Sequence, residues 1–482
     1  MSSTEQASRE EPTPARVWTL TVVPHVDPAR LGRRVVVGGA EGVVLGRDLA
    51  ALSGERDRRL SRVHAEVRAR GDGLFVTDEG SRNGTFVDGE RVRSATLGED
   101  AVLGVGQMLL LCQHRPPLFC TPDHPRIAGV SAACAELLAD LERVAGDRDP
   151  VVLVGETGTG KGLCAEELHV LRKRLGPLVT VHCAALTDER LHAQLFGTAD
   201  APGVLEGAEG GTLFLDGVDD ASHAVQAALL QFLEDREVRR LGSAGARRVD
   251  AAVVAGSSRP LATLVVERRL RPDFAARLGR RAVEIAPLRA RREDVTAIAA
   301  RRLRTFDGAP HLHPALALAL LLHDWPGNVR ELHAVLELAA SLREGNDGAR
   351  ELRLHPRVAA QLDGGPASAG SRRDVFVVAR SGAWFRAPGV GLVSLGARRQ
   401  LERVLEALAE AREHSPSEVR SVSALVAAGW PGERVLPRAG ASRVYVSITS
   451  LRRLGLRDAI VRTPEGYRLG DDVRVGDDPA PT

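Results

Sequence analysis

VVLVGETGTGKGL, Val151 to Leu163, decides the reading of this chain. A run of apolar β-formers leads into GxxxxGK and then into a helical stretch. That arrangement aims a nest of backbone N–H groups and a helix N-terminus at a phosphate. Lys161 is the charge suited to β and γ phosphates. The chain contains only two lysines, Lys161 and Lys173, and is otherwise built with arginine. A compact ammonium at this loop therefore points to function, because a guanidinium fork does not fit there. A second motif supports the first: GGTLFLD is an apolar strand that ends in Asp216, an acid placed to order Mg²⁺ through its water.

Around this loop, from 127 to 303, the apolar runs VVLVG, LVTVHC, TLFLD, AAVVAGS and AVEIAPL alternate with helical stretches. This is the pattern of a parallel sheet covered on both faces. A helical segment follows, 304 to 362. Upstream, 17 to 115 holds short β-rich runs separated by Gly and Asp, which predicts an antiparallel sandwich. Downstream, 374 to 470 holds short strands, amphipathic helices and a closing hairpin. Linkers are expected at the Pro-rich patch 116–126 and at the Gly/Ala/Ser stretch 363–373, with tails at 1–16 and 471–482.

The bulk numbers exclude several classes. At 482 residues the chain is too long for one domain, and its 44% hydrophobic and 27% charged content is ordinary globular usage. No stretch approaches the roughly 18 apolar residues of a membrane span, and the polar start is unlike a signal peptide, so a cytoplasmic protein is expected. A net charge of +2 is too even for a chain that coats nucleic acid along its length, so any such contact is local. Five cysteines, Cys112, Cys120, Cys134, Cys164 and Cys183, include no CxxC pair and read as reduced, packed thiols.

Within the β-rich block three polar clusters fall in loops: Gly46-Arg47, SRVHAE from Ser61, and DEGSRNGTFVDG from Asp78. Two arginines and a serine converging from separate loops can wrap a dianionic phosphate, and a neighbouring Asn can hold an extended backbone. The block resembles a forkhead-associated (FHA) domain. The resemblance implies phosphothreonine recognition, with Arg47, Ser61 and Arg62 toward the phosphate and Asn83 toward the peptide. The partner would be a phosphothreonine-containing protein, a Ser/Thr kinase or its substrate. Gly80, Gly84 and His64 read as loop-building residues.

In order along the chain, GETGTGK, VHCAAL, LFG, GGTLFLD, LRPDFAARL, APLRARRED and WPGNVREL resemble the AAA+ domain of NtrC-type activators of sigma-54 RNA polymerase, with a helical lid over 304–362. The resemblance implies ATP or ADP with Mg²⁺ at Gly155, Glu156, Thr157, Gly158, Thr159, Gly160, Lys161 and Gly162. It makes Asp216 the Walker B acid, Arg271 and Arg277 arginine fingers acting across the interfaces of a self-associated ring, and Arg330 the sensor II arginine. The departures weigh as much. Position 217 is glycine where a glutamate should polarise water, so hydrolysis is expected to be impaired. Asp219 or Asp220 would substitute only if the strand end shifted. Gly162 replaces the usual polar or acidic side chain after the lysine, and Ser257-Ser258 stand at sensor I. Between Leu195-Phe196-Gly197 and Gly210-Gly211 only TADAPGVLEGAE remains where the family carries its long GAFTGA loop.

The order of elements over 374–470 resembles the α+β winged-helix domain of OmpR-type response regulators. On its third helix, expected from Arg443 to Leu454, Val444, Ile448 and Leu451 share one face. Tyr445, Thr449 and Arg453 are expected to point away, toward a major groove of promoter DNA, with Arg443, Arg452 and Arg457 toward phosphates. The expected whole is multidomain: an all-β FHA sandwich, an α/β P-loop domain with its lid, and a winged helix. Three functions stay open at this stage: a transcription regulator of sigma-54-activator type with impaired hydrolysis, a working sigma-54 activator ATPase, and a phosphopeptide-dependent scaffold of a kinase pathway.

Overall fold

The computed structural model describes residues 17–23, 31–38, 42–49, 59–70, 73–115, 124–147, 149–185, 187–243, 245–343, 351–363, 376–387, 391–396, 398–415, 417–433 and 435–476. The expected tail 1–16 and nearly all of both expected linkers lie outside these residues. The chain divides into two compact units. One comprises 120–310 and 323–350; the other comprises 1–119, 311–322 and 351–482.

The first of these is built on a five-stranded sheet with the spatial order Leu178–His182, Thr212–Asp216, Ala252–Ser257, Val151–Val154 and Ala282–Glu284. Every pair in it is parallel. These are the five apolar runs read from the sequence, and parallel strands buried on both faces require such continuous apolar runs. Helices Ala132–Ala145 and Lys161–Leu171 share the core on one side with Val151, Leu153 and Phe214. On the other side Leu195, Phe196, Leu229, Phe232 and Phe274 pack on Leu213 and Leu215. Ser131 caps the first helix by accepting from the Cys134 N–H. A buried carboxylate braces the same corner. Asp294, fully buried, accepts from Val130 N at 2.6 Å, Ser131 N at 2.8 Å and Ser131 Oγ at 2.7 Å.

The other unit begins with the expected all-β sandwich. A six-stranded sheet runs Arg34–Val37, Val17–Val22, Met108–Arg115, Val102–Val105, Thr85–Val87, Glu90–Val92. A four-stranded sheet runs Val43–Leu45, Ala65–Arg70, Gly73–Asp78, Ser94–Leu97. Leu20, Leu45, Leu74, Leu97, Leu103 and Met108 fill the space between them. The C-terminal segment has its own core, around Phe385, Leu405, Val444, Ile448 and Leu451. Its elements are a four-stranded sheet, the helices Arg399–His414, Val422–Gly429 and Pro437–Leu451, and the hairpin Ile460–Thr463/Gly466–Leu469.

Three sequence expectations need correction. The third helix starts at Pro437, six residues before Arg443, because Pro is well placed in a first helical turn. The expected tail contributes a strand, Val473–Gly476, which pairs in parallel with Phe376–Ala379. The helical segment 304–362 is not one body: 311–322 and 351–363 group with the sandwich and the C-terminal segment, while 323–343 groups with the five-stranded sheet. Helix Pro314–Leu322 explains this division, since every residue from Leu316 to Leu322 is buried and so it needs apolar neighbours all round.

Cys112, Cys134, Cys164 and Cys183 are buried thiols, and Cys120 lies outside the described residues. Among the described residues no helix is long and apolar enough to cross a membrane.

Two outcomes are expected. Asp294→Ala leaves two backbone donors and a hydroxyl unpaired in the core and lowers stability by about 3–5 kcal/mol, measured by denaturant titration. Glu90 supplies a pH dependence. Burial pushes its carboxyl up to about 7, against the Ser447 hydrogen bond and the Arg398 and Arg443 charges that pull it down, while Asp88 pushes it further up. An acid raised in the folded state stabilises it fully below its unfolded value, about 4.5, and loses that contribution as pH rises through about 7. The drop in denaturation midpoint from pH 5 to pH 8 should therefore be smaller in Glu90→Gln.

Candidate functional site

The parallel register places the site's parts. Val154 pairs with Ser257 and Asp216 with Gly256, so the phosphate loop, Asp216 and the Ser257-Ser258 turn all leave the same edge of the sheet. The Gly155 N–H donates to Ser257 O at 3.0 Å, tying loop to turn. Within the loop Gly158 and Gly160 adopt φ of +81° and +106°, left-handed values that favour glycine. A Cβ on Gly158 would come within 2.2 Å of Gly327 O, so this glycine is also required by close approach.

Lys161 opens the helix Lys161–Leu171. Its Nζ donates to Gly155 O at 2.7 Å and Glu156 O at 3.1 Å. Burial lowers its proton affinity, Arg330 lowers it further, and Asp216 and Asp219 act in the opposite direction. A half-buried ammonium resting only on loop carbonyls fits a phosphate, which would supply the missing counter-charge. His182 Nδ1 lies 3.1 Å from Asp216 Oδ2 at the tip of the neighbouring strand.

Residues outside the predicted set hold the loop in shape. Glu156 is gripped by the Arg289 guanidinium, with Nη1 to Oε2 at 2.7 Å, and this hydrogen bond is the main reason its carboxyl sits below the usual range. Asn328, buried and left-handed at φ +54°, donates from Nδ2 to Glu156 Oε2 at 3.2 Å and Thr157 O at 3.1 Å. Its Oδ1 accepts from Leu288 N at 2.8 Å. Arg291 Nη2 donates to Thr159 O at 3.1 Å. The signal was available in APLRARRED and WPGNVREL, but from those runs the sequence reading drew only Arg330. Arg330 does stand beside the loop, its Cβ 3.2 Å from where a Cβ on Gly158 would lie.

The other expected parts are placed as follows. Gly217 is left-handed at φ +76° and opens the turn Val218–Asp220. Asp219 accepts from Ser258 Oγ at 2.7 Å through Oδ2, and Asp220 accepts from Arg269 Nη2 at 2.8 Å through Oδ1. Ser257 Oγ turns to Arg259 O at 2.7 Å. A Cβ on Gly162 would touch only Phe214, at 4.0 Å. Arg271 pairs with Asp273, 2.7 Å from Nη2 to Oδ2; Arg277 reaches Asp149 at 3.4 Å and Leu233 O at 3.2 Å. Where a long loop was missing from the sequence, the chain makes a tight hairpin, Gly197–Thr198 with Ala201–Pro202.

In the sandwich, the loops bearing Arg47, Ser61, Arg62 and Asn83 meet. Arg47 donates from Nε and Nη2 to Leu60 O at 3.2 and 2.9 Å, and Ser61 Oγ accepts from Arg82 N at 3.3 Å. Asn83 Nδ2 donates to Arg59 O at 2.7 Å. The Arg62 side chain is exposed. A Cβ on Gly46 would fall 1.8 Å from Arg62 O, so glycine is what lets the two loops touch. His64 is fully buried, with Nε2 3.1 Å from Gly84 O, which is the structural role expected of it. Asp78 braces the 81–85 loop. Burial pushes its carboxyl up, but hydrogen bonds from Ser81 and Thr85 outweigh that and hold it below the ordinary value.

On the C-terminal helix the expected free face is not free. Tyr445 and Thr449 are buried, and Arg453 Nη2 donates to Asp100 O at 2.8 Å, in the sandwich. Arg443 pairs with Glu433 at 2.6 Å over the Trp430 ring, and Arg452 donates to Ile460 O at 2.9 Å. Arg457 is exposed.

With the geometry in place, the chain was compared with known proteins. Residues 127–284 match the sigma-54 interaction domain, 31–111 the FHA domain and 289–363 the AAA+ ATPase lid domain. The chain joins an FHA domain to a sigma-54 interaction domain with its AAA+ lid. The nitric oxide reductase transcription regulator NorR1 of Cupriavidus necator is 43% identical over 225 residues, 44% of either chain. The transcriptional regulatory protein ZraR of Escherichia coli is 39% identical over 223 residues, 43% of this chain and 50% of that one. The match thus spans half or less of these relatives. Among solved structures, NtrX from Brucella abortus in complex with ADP is 31% identical over 48% of this chain and 55% of that chain, with a TM-score of 0.45.

The Asn328 brace carries a test. Asn328→Ala removes three hydrogen bonds from a buried junction and should cost about 2 kcal/mol of stability, read by denaturant titration.

Proposed function

We propose that this protein is a transcriptional regulator of sigma-54-activator type in which the AAA+ module grips a nucleotide but hydrolyses it poorly. ATP or ADP would lie with its phosphates on the amide nest of Gly155–Gly160 and on Lys161, with Arg330 beside it. Mg²⁺ would be ordered through water by Asp216. When bound, the nucleotide supplies the phosphate charge that Lys161 lacks in the empty loop. Arg271 and Arg277 would act across the interfaces of a ring. The FHA loops would read a phosphothreonine through Arg47, Ser61 and Arg62, with Asn83 holding the peptide backbone. The C-terminal segment, as a winged helix, would touch promoter DNA through the helix that carries Arg443, Tyr445, Thr449, Arg452 and Arg453.

One observation carries the reading: the phosphate loop is intact beside a strand end where Gly217 has no side chain. General-base activation of water typically contributes 10²–10⁴-fold to rate. Neither nearby acid takes over, because Asp219 is hydrogen-bonded to Ser258 and Asp220 to Arg269. The hairpin at 197–202 leaves nothing to push on polymerase in the manner of a GAFTGA loop. A second reading, the phosphopeptide-dependent scaffold, is favoured by the burial of Tyr445 and Thr449.

The deciding experiment measures nucleotide affinity and turnover on the same preparation. Binding at micromolar concentration with turnover at least about 100-fold below that of an intact activator is expected. Lys161→Ala should abolish the binding. Brisk hydrolysis sensitive to Lys161→Ala would establish a working ATPase instead, and no nucleotide binding would leave the scaffold. For the FHA site, Arg47→Ala should weaken phosphothreonine-peptide binding by about 10- to 100-fold, the worth of one or two charge-assisted hydrogen bonds, as read by calorimetry.

A further inference from the structure

The Pro437–Leu451 helix has two occupied faces. Val444, Ile448 and Leu451 enter the core of the C-terminal segment. At about 100° per residue, Val446, Ser450 and Arg453 stand on the opposite side. That opposite side is what a winged helix must lay into a major groove. In this structure it is covered by the sandwich's turn between strands Thr85–Val87 and Glu90–Val92.

The cover is specific. Gly89, at φ +87°, approaches so closely that a Cβ there would meet Val446 Cγ1 at 2.5 Å and Leu318 Cδ2 at 2.9 Å. Ser447 Oγ donates to Glu90 Oε1 at 2.7 Å, and Ser450 Oγ to Asp88 O at 3.2 Å. Arg453 Nη1 lies 3.7 Å from Asp88 Oδ1, while its Nη2 holds Asp100 O. Val446, Ser447 and Ser450 are all buried. The turn itself is braced from behind, since the Val102 N–H donates to Asp88 Oδ1 at 2.8 Å and Asp88 N to Val102 O at 2.8 Å. Serines and an arginine matched one to one with an acid, a carbonyl and a second acid form a polar interface that is satisfied only in this register.

We propose that the Asp88–Glu90 turn of the FHA domain is an autoinhibitory clamp on the C-terminal helix, so that clamp and duplex DNA compete for one face. The inference rests on the DNA-binding reading above. While the turn is docked, the Val446–Ser450–Arg453 side is closed to a duplex. Release converts the same side chains, above all Arg453, into backbone contacts. The affinity of the whole chain for DNA is then its intrinsic affinity scaled by the undocked fraction.

The test uses the full chain and a random-sequence duplex at low salt, where phosphate contacts dominate. Glu90→Lys places a charge against Arg398 and Arg443 and should raise both duplex affinity and hydrogen exchange over 443–453 by at least about 10-fold. Exchange in the Met108–Arg115 strand should not change, which shows that the sandwich is still folded. A second variant works independently. A Cβ on Gly89 lies 3.8 Å from Val446 Cβ, the mean separation in a disulfide, so the pair Gly89→Cys and Val446→Cys should lock the clamp when oxidised. DNA binding that is lost on oxidation and returns on reduction supports the clamp. Equal binding by the oxidised and reduced forms overturns it and leaves the DNA-binding reading standing. Raised exchange over 443–453 with no DNA binding in any form overturns the DNA-binding reading and the clamp with it.

Discussion

Asn328 keeps the phosphate loop open. Its amide spans three backbone segments, since it donates to the Glu156 carboxylate and Thr157 O and accepts from Leu288 N, and it does so from a left-handed conformation that asparagine tolerates better than most side chains. Arg289 grips the same carboxylate, and Arg291 holds Thr159 O. With the loop fixed on both flanks, its amides point outward and Lys161 has only carbonyls for company. The N-terminus of helix Asn328–Ser341 is thereby fastened to the loop, and Arg330 comes with it. Binding geometry and the placement of the sensor II arginine are therefore one constraint.

The same edge of the sheet shows why grip and work separate. The parallel register delivers Asp216 beside the loop, but the next residue has no side chain, and its left-handed φ turns the chain at once into Val218–Asp220. That turn carries two carboxylates, each already engaged by a neighbour. A water-activating base has to be both near and unengaged, and neither acid meets the second condition. The module is built as a holder of phosphates, and its output lies in assembly or in conformation.

Much of this was legible in the chain itself. The five parallel strands are continuous apolar runs, and the sandwich strands are bounded by Gly and Asp. The phosphate loop, Asp216, Gly217 and the shortened 198–209 segment need only local spacing to be read. The reading failed where contacts are long-range. On the third C-terminal helix, periodicity marked the Val444 stripe as core and so assigned Tyr445, Thr449 and Arg453 to solvent. Such a pattern reports only that one face is apolar. It carries no record that a polar face made of Ser447, Ser450 and Arg453 meets a matching polar turn more than 350 positions earlier in the chain. The wholly apolar Pro314–Leu322 helix was a clue, because it cannot be covered by its own lid alone.

The sequence by itself determined the domain types, the phosphate loop and the loss of the water-activating glutamate, because each is written in residues adjacent along the chain. Tertiary structure alone decided that Asn328, Arg289 and Arg291 shape the loop, that the lid segment divides between two units, and that the C-terminal helix is covered by the sandwich. Those features depend on which side chains meet across 100 residues or more. Hydrogen-bond complementarity between distant polar groups leaves no periodic trace in either partner.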